Sequence, residues 1–274
     1  MSYEAFYHLK EAPFFNIPDE RYFYKSVQAE KAMLKIFHAV KRKMGLCVVT
    51  GGIGTGKTML SRKLLDALNS DFYESSLIVM VHSEATSEWF LRKLAIQFGV
   101  ENVDLPKPAL ISQLYERLTE IQDEGRIPVV IIDEANMVKN KEFFEEMRGL
   151  LNFESAQGKL LNFVLFGLPE LKENLHLDIP LAQRIAIAIE MKPMDERNTI
   201  AYIRYRLSVA GAQRLIFNQD ALALIYRYSG GVPRIVNTIA DNALLEGFFE
   251  RKETVDGSVL QNTLIDLGLV VSAK

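Results

Sequence analysis

The sequence predicts an α/β fold: a five-stranded parallel sheet covered by helices on both faces, followed by a small all-helical domain. Three observations carry this. Short, near-continuous apolar runs alternate with longer amphipathic segments up to about Lys192, the pattern of strands buried on both faces. After Pro193 only helical spacing follows. The 274 residues are enough for one sizeable core and a smaller second domain.

Taken in order, Val27–Lys43 carries Ala29, Met33, Ile36, Phe37 and Val40 at helical spacing. Leu46–Thr50 (LCVVT) is the first strand, and a glycine loop joins it to a helix from Lys57 to about Leu68. Leu77–Val81 (LIVMV) is the second strand; helices at Glu88–Phe98 and Ala109–Glu124 follow, the latter closed by Gly125. Val129–Ile132 is the third strand and runs into Asp133-Glu134. A helix at Lys141–Leu151, a fourth strand at Leu160–Phe166 and a fifth at Ile185–Glu190 complete the first domain, residues 1–192. Helices at Glu196–Ala210, Gln219–Tyr228, Pro233–Glu246 and Gly257–Leu267 make up the second, residues 193–274. No internal repeat or low-complexity segment interrupts them.

Composition narrows the function classes. Hydrophobic residues at 49% and charged residues at 24% describe a globular enzyme rather than a disordered or fibrous chain. A net charge of -3 provides no overall basic field for nucleic acid, although a local patch is compatible with it. The single cysteine, Cys47, excludes an internal disulfide framework and lies inside a predicted strand as a small core filler. His8, His38, His82 and His176 show no metal-ligand spacing. No apolar stretch approaches the ~18 residues of a membrane helix, and the N-terminus lacks the basic-then-apolar order of a signal peptide. A cytoplasmic protein without a membrane span is expected.

The chemistry lies in Gly51–Thr58, "GGIGTGKT", which fits G-x-x-x-x-G-K-[ST] without a gap. A glycine loop between a strand and a helix N-terminus surrounds an anion with backbone N–H groups, and the helix dipole adds to their pull. Gly51, Gly52, Gly54 and Gly56 allow the close approach that side chains would block. The nucleotide-binding residues are thus Gly52, Ile53, Gly54, Thr55, Gly56, Lys57, Thr58 and Met59. Lys57 reaches the β- and γ-phosphates, and Thr58 gives its hydroxyl to Mg²⁺. The other half of the site is "VVIIDE": Asp133 at a buried strand's carboxyl end can hold Mg²⁺, and Glu134 can act as the base that orients attacking water. ATP and Mg²⁺ are the cofactors this pattern calls for.

Beyond the site, the N-terminal "YEAFYHLKEAPFFNIPDERYFY", the middle "EEMRGLLNFE" and "LLNFVLFGLPEL", and the helical "YIRYRLSVAG" and "SGGVPRIVNTIADNALL" occur in an order that resembles AAA+ ATPases of the general secretion pathway protein A type. The resemblance covers nearly the whole chain. It implies that Arg184, in "LAQRIA", is an arginine finger acting on a neighbouring subunit's ATP. It implies that Arg234, in "GGVPR", is the lid's sensor arginine, and that Phe14, Phe15 and Tyr24 are candidates to lie near the adenine. Read from residues alone, Arg184 is also compatible with a surface arginine pairing with a helix end, Arg234 with an exposed arginine at a helix start, and the aromatics with core filling. The family's glutamine after the fourth-strand glycine is replaced by Leu168 in "GLPEL". Turnover is therefore expected to be slow, unless Asn136 or Asn162 supplies the polar group.

Three functional classes follow. One is an oligomeric motor or switch, ring or filament, serving envelope assembly such as a secretin, pilus or polymer-export system. A second is a DNA-associated ATPase resembling regulators of transposition, and a third is a slow nucleotide switch that acts as a binding module. Lys41-Arg42-Lys43 could meet phosphate backbone, or simply complement a helix C-terminus.

Overall fold

The computed structural model describes residues 2–82 and 85–270. The chain forms two compact units, one of residues 27–53 and 60–191, the other of residues 2–26, 54–59 and 192–270.

The first unit holds the sheet. Its elements are α1 (Val27–Lys41), β1 (Leu46–Gly51), α2 (Lys57–Ala67, the first residues of which fall in the other unit), β2 (Tyr73–Val79), α3 (Ser87–Gln97), α4 (Lys107–Asp123) and β3 (Ile127–Asp133). They continue with α5 (Lys141–Leu150), β4 (Asn162–Gly167), α6 (Glu170–Leu175), α7 (Ile179–Ala182) and β5 (Ile185–Met191). The five strands are parallel and run in the order β2-β3-β4-β1-β5. Residues 129–132 of β3 and 163–166 of β4 are fully buried, which is why these runs read as unbroken apolar sequence. Burying each such side chain is worth about 1.5–3 kcal/mol.

Edge strands behave otherwise. In β2 only Ser76 and Ile78 are buried, and β5 alternates half-buried and exposed residues. Register sets the functional end: Thr50 pairs with Gly167, and Ile132 with Leu165. The carboxyl ends of β1, β3 and β4 are thus level, where open parallel sheets bind ligands.

The longer helices of the second unit are α8 (Glu196–Val209), α9 (Gln219–Ser229), α10 (Pro233–Phe249) and α11 (Gly257–Asp266). Asp195, Asn218 and Asp256 cap α8, α9 and α11 by accepting first-turn N–H groups. Gly230, at φ 58°, ends α9. Gly231 follows at φ 73° against the Met194 carbonyl, where a Cβ would lie 1.8 Å from the oxygen.

In sequence the change from sheet to helices falls at Lys192; in space the N-terminal segment packs with the helices. Tyr7, Leu9 and Phe14 share a core with Ile203, Ile225, Ile239 and Leu264. Arg206 of α8 is buried yet satisfied: Nε donates to the Pro13 carbonyl at 2.5 Å, Nη2 to Phe15 at 3.1 Å and Nη1 to the Tyr202 hydroxyl at 2.9 Å. The Phe15 and Tyr22 rings lie 4.9 and 4.7 Å from its guanidinium.

Candidate nucleotide-binding site

β1 ends at Gly51 and α2 begins at Lys57, so the predicted loop joins strand to helix as the motif requires. Gly54 and Gly56 adopt φ 76° and 96°, which L side chains rarely tolerate. A Cβ on Gly56 would meet nothing within 4 Å, so its conformation serves the turn and leaves space above it. Thr55 and Lys57 are buried, whereas Gly52 and Ile53 are exposed. Lys57 as a whole is 6% exposed, in the first turn of a helix, where the dipole disfavours a cation and favours an anion. Thr58 and Met59 are half-buried in the same turn.

Asp133 closes β3 at 2% exposure, and both carboxylate oxygens are fixed. Oδ2 accepts from the Ser61 hydroxyl at 3.2 Å, and Oδ1 from the Glu134 amide at 3.0 Å. Ser61 lies one turn after Thr58 on the same face of α2, so this bond ties the strand end to the helix that carries the Thr58 hydroxyl. Glu134 is half-buried with φ 54° and ψ 34°, a left-handed conformation that costs a non-glycine residue about 1–3 kcal/mol. Strain of this kind persists where the surroundings over-determine it, and here it turns the residue out of the strand direction.

Beside it, Asn136 Oδ1 accepts from the Leu168 amide at 2.9 Å. A Cβ on Gly167 would lie 3.0 Å from that same oxygen, so glycine is needed for the approach. Asn162 occupies the opposite end of β4, bonding the Gly45 amide and the Pro128 carbonyl. It is a tie for strand starts and lies away from Gly167; of the two asparagines, only Asn136 stands at the carboxyl end of the sheet.

Arg234 is exposed in the first turn of α10. Its amide donates to the Gly54 carbonyl at 3.3 Å, and a Cβ on Gly54 would come within 2.8 Å of its own Cβ. The start of α10 therefore lies directly on the glycine loop. Arg184 is half-buried just after α7, and Nη1 donates to the Arg148 carbonyl at 3.1 Å and to Asn152 Oδ1 at 2.5 Å. The helix-end contact that the residues alone allowed is thus present. Phe14 is 2% exposed and packs edge-on against Phe217. Tyr24 packs against Tyr202 and Tyr205, with its hydroxyl 3.4 Å from Asn198 Oδ1. Phe14 belongs to the interior of the helical unit, and the half-buried Tyr24 packs against it; Phe15 is engaged by Arg206.

Ser61 is absent from the residues that the motif picks out, although its place one turn past Thr58 is a usable signal. Also absent are Arg206 and the Arg148–Asp178 pair, whose partners are too distant in sequence to show any spacing. Among the described residues no cluster of His, Cys, Asp and Glu could hold a metal on its own. A loop cradle, a hydroxyl and one fixed carboxylate fit instead an ion that arrives with phosphates.

Residues 40–175 match the AAA domain family. General secretion pathway protein A of Aeromonas hydrophila is 33% identical over 249 residues, 90% of this chain; the chain spans 45% of that protein's length. Among solved structures, Cdc6p from Pyrobaculum aerophilum superposes with a TM-score of 0.69 at 14% identity, covering 96% of this chain and 72% of that one. The Aeropyrum pernix ORC2 protein, solved as ADPNP-ADP complexes, superposes with a TM-score of 0.65 at 12% identity, covering 89% and 71%. These structural likenesses concern the fold; loop, sheet order and sequence similarity together make the chain an AAA+ protein of the general secretion pathway protein A type.

Proposed function

We propose that the chain binds and hydrolyses ATP with Mg²⁺ and works as an oligomeric motor or switch. The observation that carries this is the strand–glycine loop–helix that buries Lys57, with Asp133 bonded to Ser61 further along that helix. Lys57 and the loop amides neutralise and orient the β- and γ-phosphates. Thr58 and Asp133 would hold Mg²⁺, which would supply charge neutralisation on the transferring group. Glu134 orients and deprotonates the attacking water, and Asn136 fixes the Gly167–Leu168 turn beside it. Arg234, on the loop through Gly54, senses the nucleotide in its own subunit; Arg184 acts on a neighbour's.

The 33% identity to general secretion pathway protein A supports a role in envelope secretion or a related assembly, with a protein partner there. A DNA-associated ATPase is the second reading, and one observation favours it. Lys31, Lys35, His38 and Lys41 line the exposed face of α1 at helical spacing. A salt-dependent duplex shift assay separates the two. The phosphate-cradle reading itself is tested by calorimetry on Lys57→Ala. ATP affinity should fall by at least tenfold, and wild-type affinity would refute the reading.

A further inference from the structure

We propose that Arg148 and Asp178 are positioning residues for Arg184, and that they set its guanidinium for a neighbour's phosphates. The proposal rests on the reading of Arg184 as a residue that acts in trans. Its basis is a closed ring of hydrogen bonds within the sheet unit. The side chain of Asp178 is 3% exposed, and its two oxygens do different work. Oδ1 caps α7 by accepting the Leu181 amide at 3.2 Å; Oδ2 accepts Arg148 Nε at 2.8 Å. The Leu181 carbonyl in turn accepts the Arg184 amide at 2.9 Å, and Arg184 Nη1 returns to the Arg148 carbonyl at 3.1 Å. Arg148 thus contributes its side chain to the buried carboxylate and its backbone to Arg184. Arg184 is gripped through both main chain and side chain.

An arginine has more rotamer freedom to lose than almost any other residue, so a finger left loose would meet the neighbour's phosphates only part of the time. The ring removes much of that freedom beforehand. Of the guanidinium it uses only Nη1, which leaves the Nη2 side of the fork outside it. A plain stabilising pair between α5 and α7 would need the Arg148–Asp178 contact alone. The return bond from Arg184 is what makes this an arrangement about the finger.

Removing Arg148 outright would strand a buried carboxylate and could unfold the chain, so two gentler variants carry the test. Asp178→Asn keeps the capping oxygen and loses the charge. Arg148→Lys keeps the charge and the carbonyl but loses Nε. Both should lower kcat by about tenfold to a hundredfold with ATP Kd unchanged, as expected for a reacting group displaced by up to an ångström. Asp178→Asn subunits mixed with Glu134→Gln subunits should recover activity, because some interfaces then pair an intact Glu134 with a firmly held Arg184. Mixed with Arg184→Ala subunits they should not. The Asp178→Asn/Arg184→Ala double variant should be no slower than Arg184→Ala alone. Wild-type kcat in both gentle variants, beside a large loss in Arg184→Ala, would overturn the positioning role. So would additive losses with no recovery in trans. Wild-type kcat in Arg184→Ala would instead bring down the finger reading, and this proposal with it.

Discussion

Glu134 stands one residue past the end of β3, half-buried and in a left-handed backbone conformation. An apolar run ending in Asp-Glu marks a strand end with two acids, and the structure places Asp133 there. Nothing in the letters marks the left-handed backbone of Glu134, because that conformation is imposed by the bonds around it. The glycines of the loop were legible for the opposite reason: Gly54 and Gly56 occupy conformations that favour glycine on intrinsic grounds. Leu168 is the residue where family pattern and sequence part. Its amide is tied to Asn136, so the backbone of the turn is fixed although the usual polar side chain is missing. Leu168→Gln should therefore raise turnover by severalfold without changing ATP affinity. A rate at or below wild type in a phosphate-release assay would mean that Asn136 already meets the need.

Elements are legible in sequence where one force dominates and obscure where two compete. The buried strands β1, β3 and β4 stood out as apolar runs. β2 begins at Tyr73, four residues before the LIVMV run, because its YESS start lies on a sheet edge where polar residues suffice. Pro128, second in β3, speaks against a central strand, yet it sits at the strand's start and its carbonyl is used by Asn162. The short α6 and α7 were missed, being too brief to show a period.

Capping residues decide where helices start, and Asp256 offers a clean measurement. It accepts the Ser258 and Val259 amides at the start of α11. Its hydrogen bonds, first to the Ser258 hydroxyl and then to the Val259 amide, pull its pKa down to about 2, against about 3.9 in an unfolded chain. The folded value is depressed, so the stabilisation is present above about pH 4 and is lost as pH falls toward 2. Melting temperatures of wild type and Asp256→Asn should therefore differ at neutral pH and converge in that window. A gap independent of pH would contradict the assignment.

At the scale of the whole molecule, the sheet-then-helices plan was visible in the change of periodicity at Lys192. The return of residues 2–26 to the helical unit was not, because Tyr7, Leu9 and Phe14 reveal their partners only in space. Oligomeric action follows from the role in trans that the resemblance implies for Arg184, and it carries its own signature: turnover per subunit should rise with protein concentration. Beneath it lies the central claim, that this chain hydrolyses ATP at the loop and strand end described above. The most direct test is Mg²⁺-dependent phosphate release by wild type and Glu134→Gln under identical conditions. The account predicts steady release by wild type, absent without Mg²⁺, and a fall of at least a hundredfold in Glu134→Gln. Equal release by the two proteins would contradict it.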